Sequence, residues 1–289
     1  MSADSVDRIT LCVATRDRPE SVERVLVPCL RRLPAGCNAI VIDQSGTGTT
    51  AAHLAGIDRV DYRRMDEVGL SRARNRAVGA TSAPLLAFTD DDVSFEPTWL
   101  DRIVALFDAH PAAGAVCGGA VTPTGKRVPG APERSGVHRW PTTPFGLGVG
   151  LNMALRREAL DAAGPFDEEL GAGARFHAAE DTDMLYRVMR EGWSVVTDED
   201  LTVVHQERRS PREWLRLQYR YGIGIGAQTA KHAAADDADA RRLAFAVPLR
   251  RPPLGRVRPR YAVGRLFLTA GITVGSFRWR RAHARRRSA

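Results

Sequence analysis

The sequence predicts an α/β fold: a mostly parallel sheet flanked by helices, followed by a C-terminal helical extension. Three observations predict it. Short apolar runs alternate with helically patterned segments over the first 120 or so residues, as a parallel sheet with crossover helices requires. The clearest of these runs stop at polar residues, Thr15, Asp43 and Asp90. A Gly/Pro-rich stretch after residue 122 then breaks the alternation.

The elements follow in order. "RITLCVAT" is an apolar strand ending at Thr15, and "RPESVERVLVPCLRRL" has helical spacing with Pro19 at a first helical position. "NAIVID" is a second strand ending at Asp43, and "DRVDYRRM" a weaker third. "GLSRARNRAVGAT" is a helix with an Arg-rich start, "APLLAFTDDD" a strand, and "PTWLDRIVALFDAHP" a helix closed by Pro111. The stretch "TPTGKRVPGAPERSGVHRWPTTPFGLGVG" is too long for a plain connection and reads as a functional lid or a disordered segment. "AEDTDMLYRVMREG" is a helix, "WSVVTDEDLTVVHQ" a strand region, and "SPREWLRLQYRYGIG" a helix before the tail.

Composition is that of a folded protein with a substantial core: 289 residues, 44% hydrophobic and 26% charged. The opening "MSADSVDRIT" lacks the apolar segment of a secretory signal, so a cytoplasmic location is expected. Cys12, Cys29, Cys37 and Cys117 show no metal-type pairing and read as buried thiols. The net charge of +8 hides an asymmetry. Arg250 to Ala289 holds 12 arginines and no acid, while the rest has 30 Lys+Arg against 34 Asp+Glu. "YAVGRLFLTAGITVGSF" is short for a membrane span and carries Arg265. It reads as a packed helix or as a peripheral contact with the cytoplasmic membrane face. The tail's arginines also suit phosphates generally, but no base-reading motif accompanies them, so no specific nucleic-acid partner is expected.

The strongest chemical signal is "LLAFTDDDVSFEP". An apolar strand delivers Asp90, Asp91 and Asp92 to one point, the carboxyl end where open α/β sheets bind ligands. Adjacent carboxylates repel one another unless a cation sits among them, and hard divalent cations take one or two carboxylates plus substrate phosphates. A solvated turn is the alternative.

Eight ordered motifs, "VATRDRP", "VIDQSG", "GLSRARNRA", "FTDDDV", "GLNMALRR", "GPFDEEL", "AEDTDMLYR" and "VVH", give the chain from about Ile9 to Gly226 a resemblance to family 2 glycosyltransferases of the GT-A fold, the Rossmann-like fold of nucleotide-diphospho-sugar transferases. The resemblance implies a GT-A domain over 1–226, with a nucleotide-binding half at about 1–122 and an acceptor-side half at about 123–226. A basic, helical or partly disordered extension would occupy 227–289. It implies metal-dependent, inverting transfer of a sugar from a nucleotide diphosphate, by default a UDP-sugar, to an acceptor hydroxyl of a glycan, a lipid-linked compound or a small molecule.

The same resemblance assigns residues. Thr15 and Arg18 would line the base, and Asp43 and Gln44 would bind base and ribose, with Gln44 standing where the family often has an acid. Arg74 would meet the phosphates, whereas Arg72 reads as a solvated helix face. Asp90 and Asp92 would form the metal-and-ribose pair, Asp91 would touch ribose or only support that pair from behind, and His205 would complete the site for Mn²⁺ or Mg²⁺. Asn152, with Gly148 and Gly150, would lie at the donor sugar. Asp181 would be the general base and Glu180 its partner; the alternative for these two acids is dipole complementation at a helix start. Two other functions use parts of the same pattern. A non-catalytic sugar- or nucleotide-binding module would keep the fold without needing Asp181. A haloacid-dehalogenase-type phosphatase shares D-x-D after a strand but needs a site lysine, and only Lys126 and Lys231 occur.

Overall fold

The structure is a computed structural model that describes residues 8–34, 37–206, 210–235 and 259–284. The described chain divides into two compact units. The first runs up to Phe166 and resumes at Met184 through the last strand; the second comprises Asp167–Asp183 and the chain from Ser210 on.

The strands are β1 (Ile9–Thr15), β2 (Asn38–Asp43), β3 (Val60–Arg64), β4 (Leu85–Asp90), β5 (Val93–Ser94), β6 (Ala113–Val121), β7 (Gly136–His138), β8 (Met153–Arg156) and β9 (Ser194–His205). They form one sheet in the order β3-β2-β1-β4-β8-β6-β9-β5, with β7 also on β9. The first four strands are parallel. β8 runs antiparallel between β4 and β6, and β6 and β9 are parallel again.

Register places the site. Thr15 is level with Asp43, and Ala14 with Asp90, so three strand ends meet at one carboxyl edge. The apolar runs are continuous because both sheet faces are covered. Leu11, Val13, Val41, Leu85 and Ala87 pack on one face with Val22, Leu26, Leu30 and with Leu100, Ile103 and Phe107. Cys12, Ile40, Ile42, Leu86 and Phe88 pack on the other with Ala73, Ala77, Met184, Leu185 and Val188. All four cysteines are free and buried, and burial pushes the Cys12 and Cys37 thiols up to about 12.

The first helical run is not uniform. It comprises α1 (Pro19–Ser21), a π-helical stretch Val22–Leu26, and α2 (Val27–Leu30). The widened register precedes Pro28, which has no N–H to give the carbonyl of Arg24. Next come α3 (Thr49–Leu54), α4 (Leu70–Val78), α5 (Thr98–Ala109), α6 (Arg157–Ala163) and α7 (Glu180–Arg190). The last two helices are α8 (Pro211–Ala234), which opens on a Ser210/Glu213 capping box, and α9 (Pro259–His283).

The expected boundary at residue 226 falls inside α8, which continues to Ala234. Gly222, Gly224 and Gly226 lie within α8 as points of backbone contact. A Cβ at Gly222 would lie 2.2 Å from the Leu268 carbonyl oxygen, and one at Gly226 would lie 2.1 Å from that of Ile272. α9 answers with Gly271 and Gly275, whose Cβ atoms would meet the carbonyls of Tyr219 and Ile223 at 2.3 and 2.1 Å. The pairings advance together, so α8 and α9 run parallel, joined also by the Ser276 hydroxyl donating to the Gly226 carbonyl. This is the small-residue packing that lets helix backbones touch. Gly275→Ala should force the helices apart and cost about 1–3 kcal/mol, the usual penalty of overpacking. Chemical denaturation followed by circular dichroism measures it; an unchanged midpoint would show that the contact yields freely.

Candidate active site

The site grows from the carboxyl edge of β1, β2 and β4. Thr15 is buried at the end of β1, and its hydroxyl donates to Asp91 Oδ2 at 2.6 Å. Ser21, at the start of the first helix, donates to the Asp91 carbonyl at 3.1 Å. Arg18 Nη1 spans two acids, donating to Asp91 Oδ1 at 3.0 Å and to Asp92 Oδ2 at 2.8 Å. The loop therefore turns Asp91 inward and leaves Asp90 and Asp92 to face the edge.

His205 reaches this point by strand pairing. β5 is two residues long, yet it pairs Val93 with His205 on β9, and Gln206 N–H donates to the Asp92 carbonyl at 2.8 Å. His205 Nε2 then lies 3.3 Å from Asp92 Oδ1. That oxygen is buried and accepts no hydrogen bond. Two cis ligands of one octahedral cation, each at about 2.1 Å, stand roughly 3 Å apart. A buried carboxylate oxygen at this distance from an imidazole nitrogen has the spacing of two ligands on one divalent cation. Among the described residues no group of three or more His, Cys, Asp or Glu side chains is arranged to hold an ion alone. A pair of protein groups at this spacing is what a hard cation uses when phosphate oxygens and water complete its shell.

The electrostatics agree with that demand. Burial pushes Asp90 above the usual carboxylate range, with Arg74 opposing and Asp92 adding to the rise. Burial lifts Asp91 to about 6 against the hydrogen bond from Thr15 and the charge of Arg18. Burial also works to raise Asp92, but His205 and Arg18 outweigh it and hold this carboxyl below its usual value. Of the three acids, Asp92 is the one held below its usual value, by its contacts with His205 and Arg18.

Other expected residues are placed differently. Asn152 is wholly buried: Oδ1 accepts from Trp99 Nε1 at 3.0 Å, and Nδ2 donates to the carbonyls of Gly119 and Leu201 at 2.7 Å each. Its two N–H groups are thus spent on packing, which corrects the donor-sugar role expected for it. Gly148 and Gly150 are likewise close to protein, since a Cβ would meet Cys117 Sγ or Arg74 Nη2 at 2.5 Å. Arg74 is buried, donates to the Gly150 carbonyl at 3.0 Å, and lies over the rings of Phe88 and Phe166. Its Nη2 is 3.9 Å from Asp90 Oδ1. In this structure it braces the acid run from below. Arg72 is exposed, as expected.

Asp43 is buried at the end of β2, accepting from the Ser45 N–H and the Tyr62 hydroxyl at 2.9 Å each. Gln44 donates to the carbonyls of Glu67 and Gly69, which fastens the entry to α4. Tyr62 and Ser21 carry no motif and were not identifiable as site residues from the sequence.

Glu180 and Asp181 open α7 and belong to the second unit with the residues before them. Asp181 Oδ1 accepts from the Thr182 N–H at 2.7 Å. The turn into the helix holds His177 and Ala179 at φ 65° and 74°, values that residues with a Cβ rarely adopt. Asp183 is fully buried and takes Lys231 Nζ at 3.2 Å and His232 Nε2 at 2.7 Å; Lys231 also meets Asp167 at 2.6 Å. Lys231 is one of two lysines in the chain, and no sequence motif ties it to Asp183.

Residues 10–163 match the model of glycosyl transferase family 2, and residues 134–280 that of glycosyl transferase family group 2. A pre-mycofactocin glycosyltransferase of Mycobacterium tuberculosis is 24% identical over 241 residues, covering 78% of this chain and 48% of that protein. The chain thus spans about half the length of that relative. A glucosyl-dolichyl phosphate glucuronosyltransferase of Haloferax volcanii is 25% identical over 230 residues, 72% of each chain. Among solved structures, a mannosyltransferase from Pyrobaculum calidifontis, in complex with GDP-Man and Mn²⁺, superposes with a TM-score of 0.62 at 18% identity, covering 93% of this chain and 86% of its own. S. aureus TarS with UDP-GlcNAc gives 0.58 at 15% identity, covering 75% and 66%. These structures share the GT-A fold with this chain.

Proposed function

This chain belongs to glycosyl transferase family 2, and from that premise we propose that it transfers a sugar from a nucleotide diphosphate to an acceptor hydroxyl, with inversion at the anomeric carbon. The observation that supports the metal-dependent form of this reading is the buried Asp92 Oδ1 standing 3.3 Å from His205 Nε2 at the strand edge. The structural neighbours named above hold GDP-Man with Mn²⁺ or UDP-GlcNAc, which supports a nucleotide-sugar donor.

Asp92 and His205 would hold Mn²⁺ or Mg²⁺, and a bound cation would supply Lewis-acid relief of the charge that builds on the leaving diphosphate. The half at about 1–122 binds the donor. Arg18, paired with Asp91 and Asp92 and with 44% of its side chain exposed, would exchange those acids for phosphate oxygens of the donor. Arg74 holds Asp90 in place, and Asp43 and Gln44 shape the base side. The half at about 123–226 receives the acceptor. Asp181 takes the hydroxyl proton as the oxygen attacks from the face opposite the nucleotide, and Glu180 supports it. One displacement inverts configuration. Relatives acting on a dolichyl phosphate glycolipid and on pre-mycofactocin fit cell-surface glycan, glycolipid or natural-product glycosylation.

A thermal-shift panel tests the donor assignment. UDP or GDP with Mn²⁺ should raise the unfolding temperature more than either component alone, since a ligand at a hundred-fold excess over Kd adds about 2.7 kcal/mol. No rise with any nucleotide and metal pair would overturn the reading. Release of free nucleotide diphosphate from a nucleotide sugar then separates an enzyme from a binding module.

A further inference from the structure

We propose that α9 lies in the plane of an anionic membrane surface, its outer stripe in the boundary between headgroups and acyl chains and its arginines on lipid phosphates. The inference stands apart from the transfer reading. Val263, Leu266, Ala270, Thr273 and Phe277 follow a 3-4-3-4 spacing, which sets them on one helix face. All five are exposed, Leu266 at 69% and Phe277 at 64%, with Tyr261 at 54% and Phe267 at 41% beside them. The opposite stripe is spent on α8 through Gly264, Gly271 and Gly275. The helix is therefore apolar on a side that no described residue covers.

Length and charge decide what covers it. Leu266–Phe277 is uncharged and 12 residues long, between Arg265 and Arg278. As helix it extends about 18 Å, against a hydrocarbon core of about 30 Å. No described helix is long and apolar enough to cross a membrane. An apolar stripe too short to span, with cations at both ends, suits a helix lying in the interface. A second copy would bring 12 arginines against 12, with no acid from residue 250 onward to answer them. Nucleic acid would satisfy the arginines but not Leu266 and Phe277. An anionic bilayer satisfies both.

Co-sedimentation of the full chain with phosphatidylcholine vesicles, with and without phosphatidylglycerol, tests this. Binding should require phosphatidylglycerol and weaken with salt. The double variant Leu266→Glu/Phe277→Glu should lose binding by at least about ten-fold, since two buried apolar side chains are replaced by charges. The triple variant Arg278→Gln/Arg280→Gln/Arg281→Gln should lose about 10²-fold, at about five-fold per arginine. Every substituted position is exposed, and circular dichroism with the nucleotide thermal shift confirms an intact fold. Equal binding to neutral vesicles, or unchanged binding by either variant, would overturn the proposal. So would a dimer in sedimentation velocity that the Leu266/Phe277 variant dissolves, because the stripe would then be an interface between copies. Vesicle binding without any nucleotide shift would leave this inference standing and remove the transfer reading instead.

Discussion

Asp92→Ala should abolish the gain in nucleotide affinity that Mn²⁺ confers, and lower Mn²⁺ affinity itself by about 10²-fold or more. Substituting residues that merely orient metal ligands already costs 10- to 100-fold, and Asp92 is assigned as a direct ligand. The fold should survive. Arg18 would keep Asp91, and its half-exposed side chain can turn its remaining N–H groups to water. Removing one partner of a fully buried ion pair costs about 3–5 kcal/mol, but that figure does not apply to an arginine so open to solvent. Titration calorimetry of UDP and GDP, with and without Mn²⁺, reads the effect directly, and electron paramagnetic resonance counts free Mn²⁺ independently. A variant with undiminished metal-dependent affinity would return the acid run to a structural turn.

The parts of this site that a sequence displays are the local ones. Asp90 to Asp92 were legible because an apolar strand precedes them, and a parallel sheet sends all such strand ends to one edge. The alternation of β and α, and the two-faced burial behind it, were legible for the same reason. His205 could be matched by motif, but its distance to Asp92 depends on a two-residue strand pairing that periodicity cannot show. Asn152 misled because its partners Trp99, Gly119 and Leu201 come from three distant parts of the chain. A buried amide that is fully used looks, in a sequence, like one waiting for a ligand. The glycines of α8 are explained only by the parallel approach of α9. Lys231 was passed over as a residue on a polar helix; burial of Asp183 gives it a partner that no local pattern names.

Asp181→Asn should leave donor and metal binding intact and lower transfer by about 10²- to 10⁴-fold, the usual worth of general-base catalysis. The loss should fall in kcat, because the carboxylate matters when the acceptor proton moves. Asn keeps the size of Asp and can still accept from the Thr182 N–H, so the start of α7 is preserved. The competing account is that Asp181 only complements the dipole at that helix start, where neutral Asn would cost about 0.3–1 kcal/mol of stability and leave kcat alone. Under it the variant would retain nearly full kcat. The surroundings bear on how firmly the carboxylate would be held. Dipole complementation needs no strain, yet His177 and Ala179 are held at positive φ just before this helix. Such strain costs about 1–3 kcal/mol per residue and persists where surrounding structure fixes it. Lys231 and His232 supply that fixing by clamping the buried Asp183, two residues beyond Asp181. A turn strained on one side and clamped on the other holds its carboxylates in a set direction, which proton transfer requires and dipole complementation does not. Steady-state rates with a competent acceptor, beside nucleotide and Mn²⁺ affinities of the same preparation, distinguish the two: near-normal kcat with normal binding would return Asp181 to the helix start.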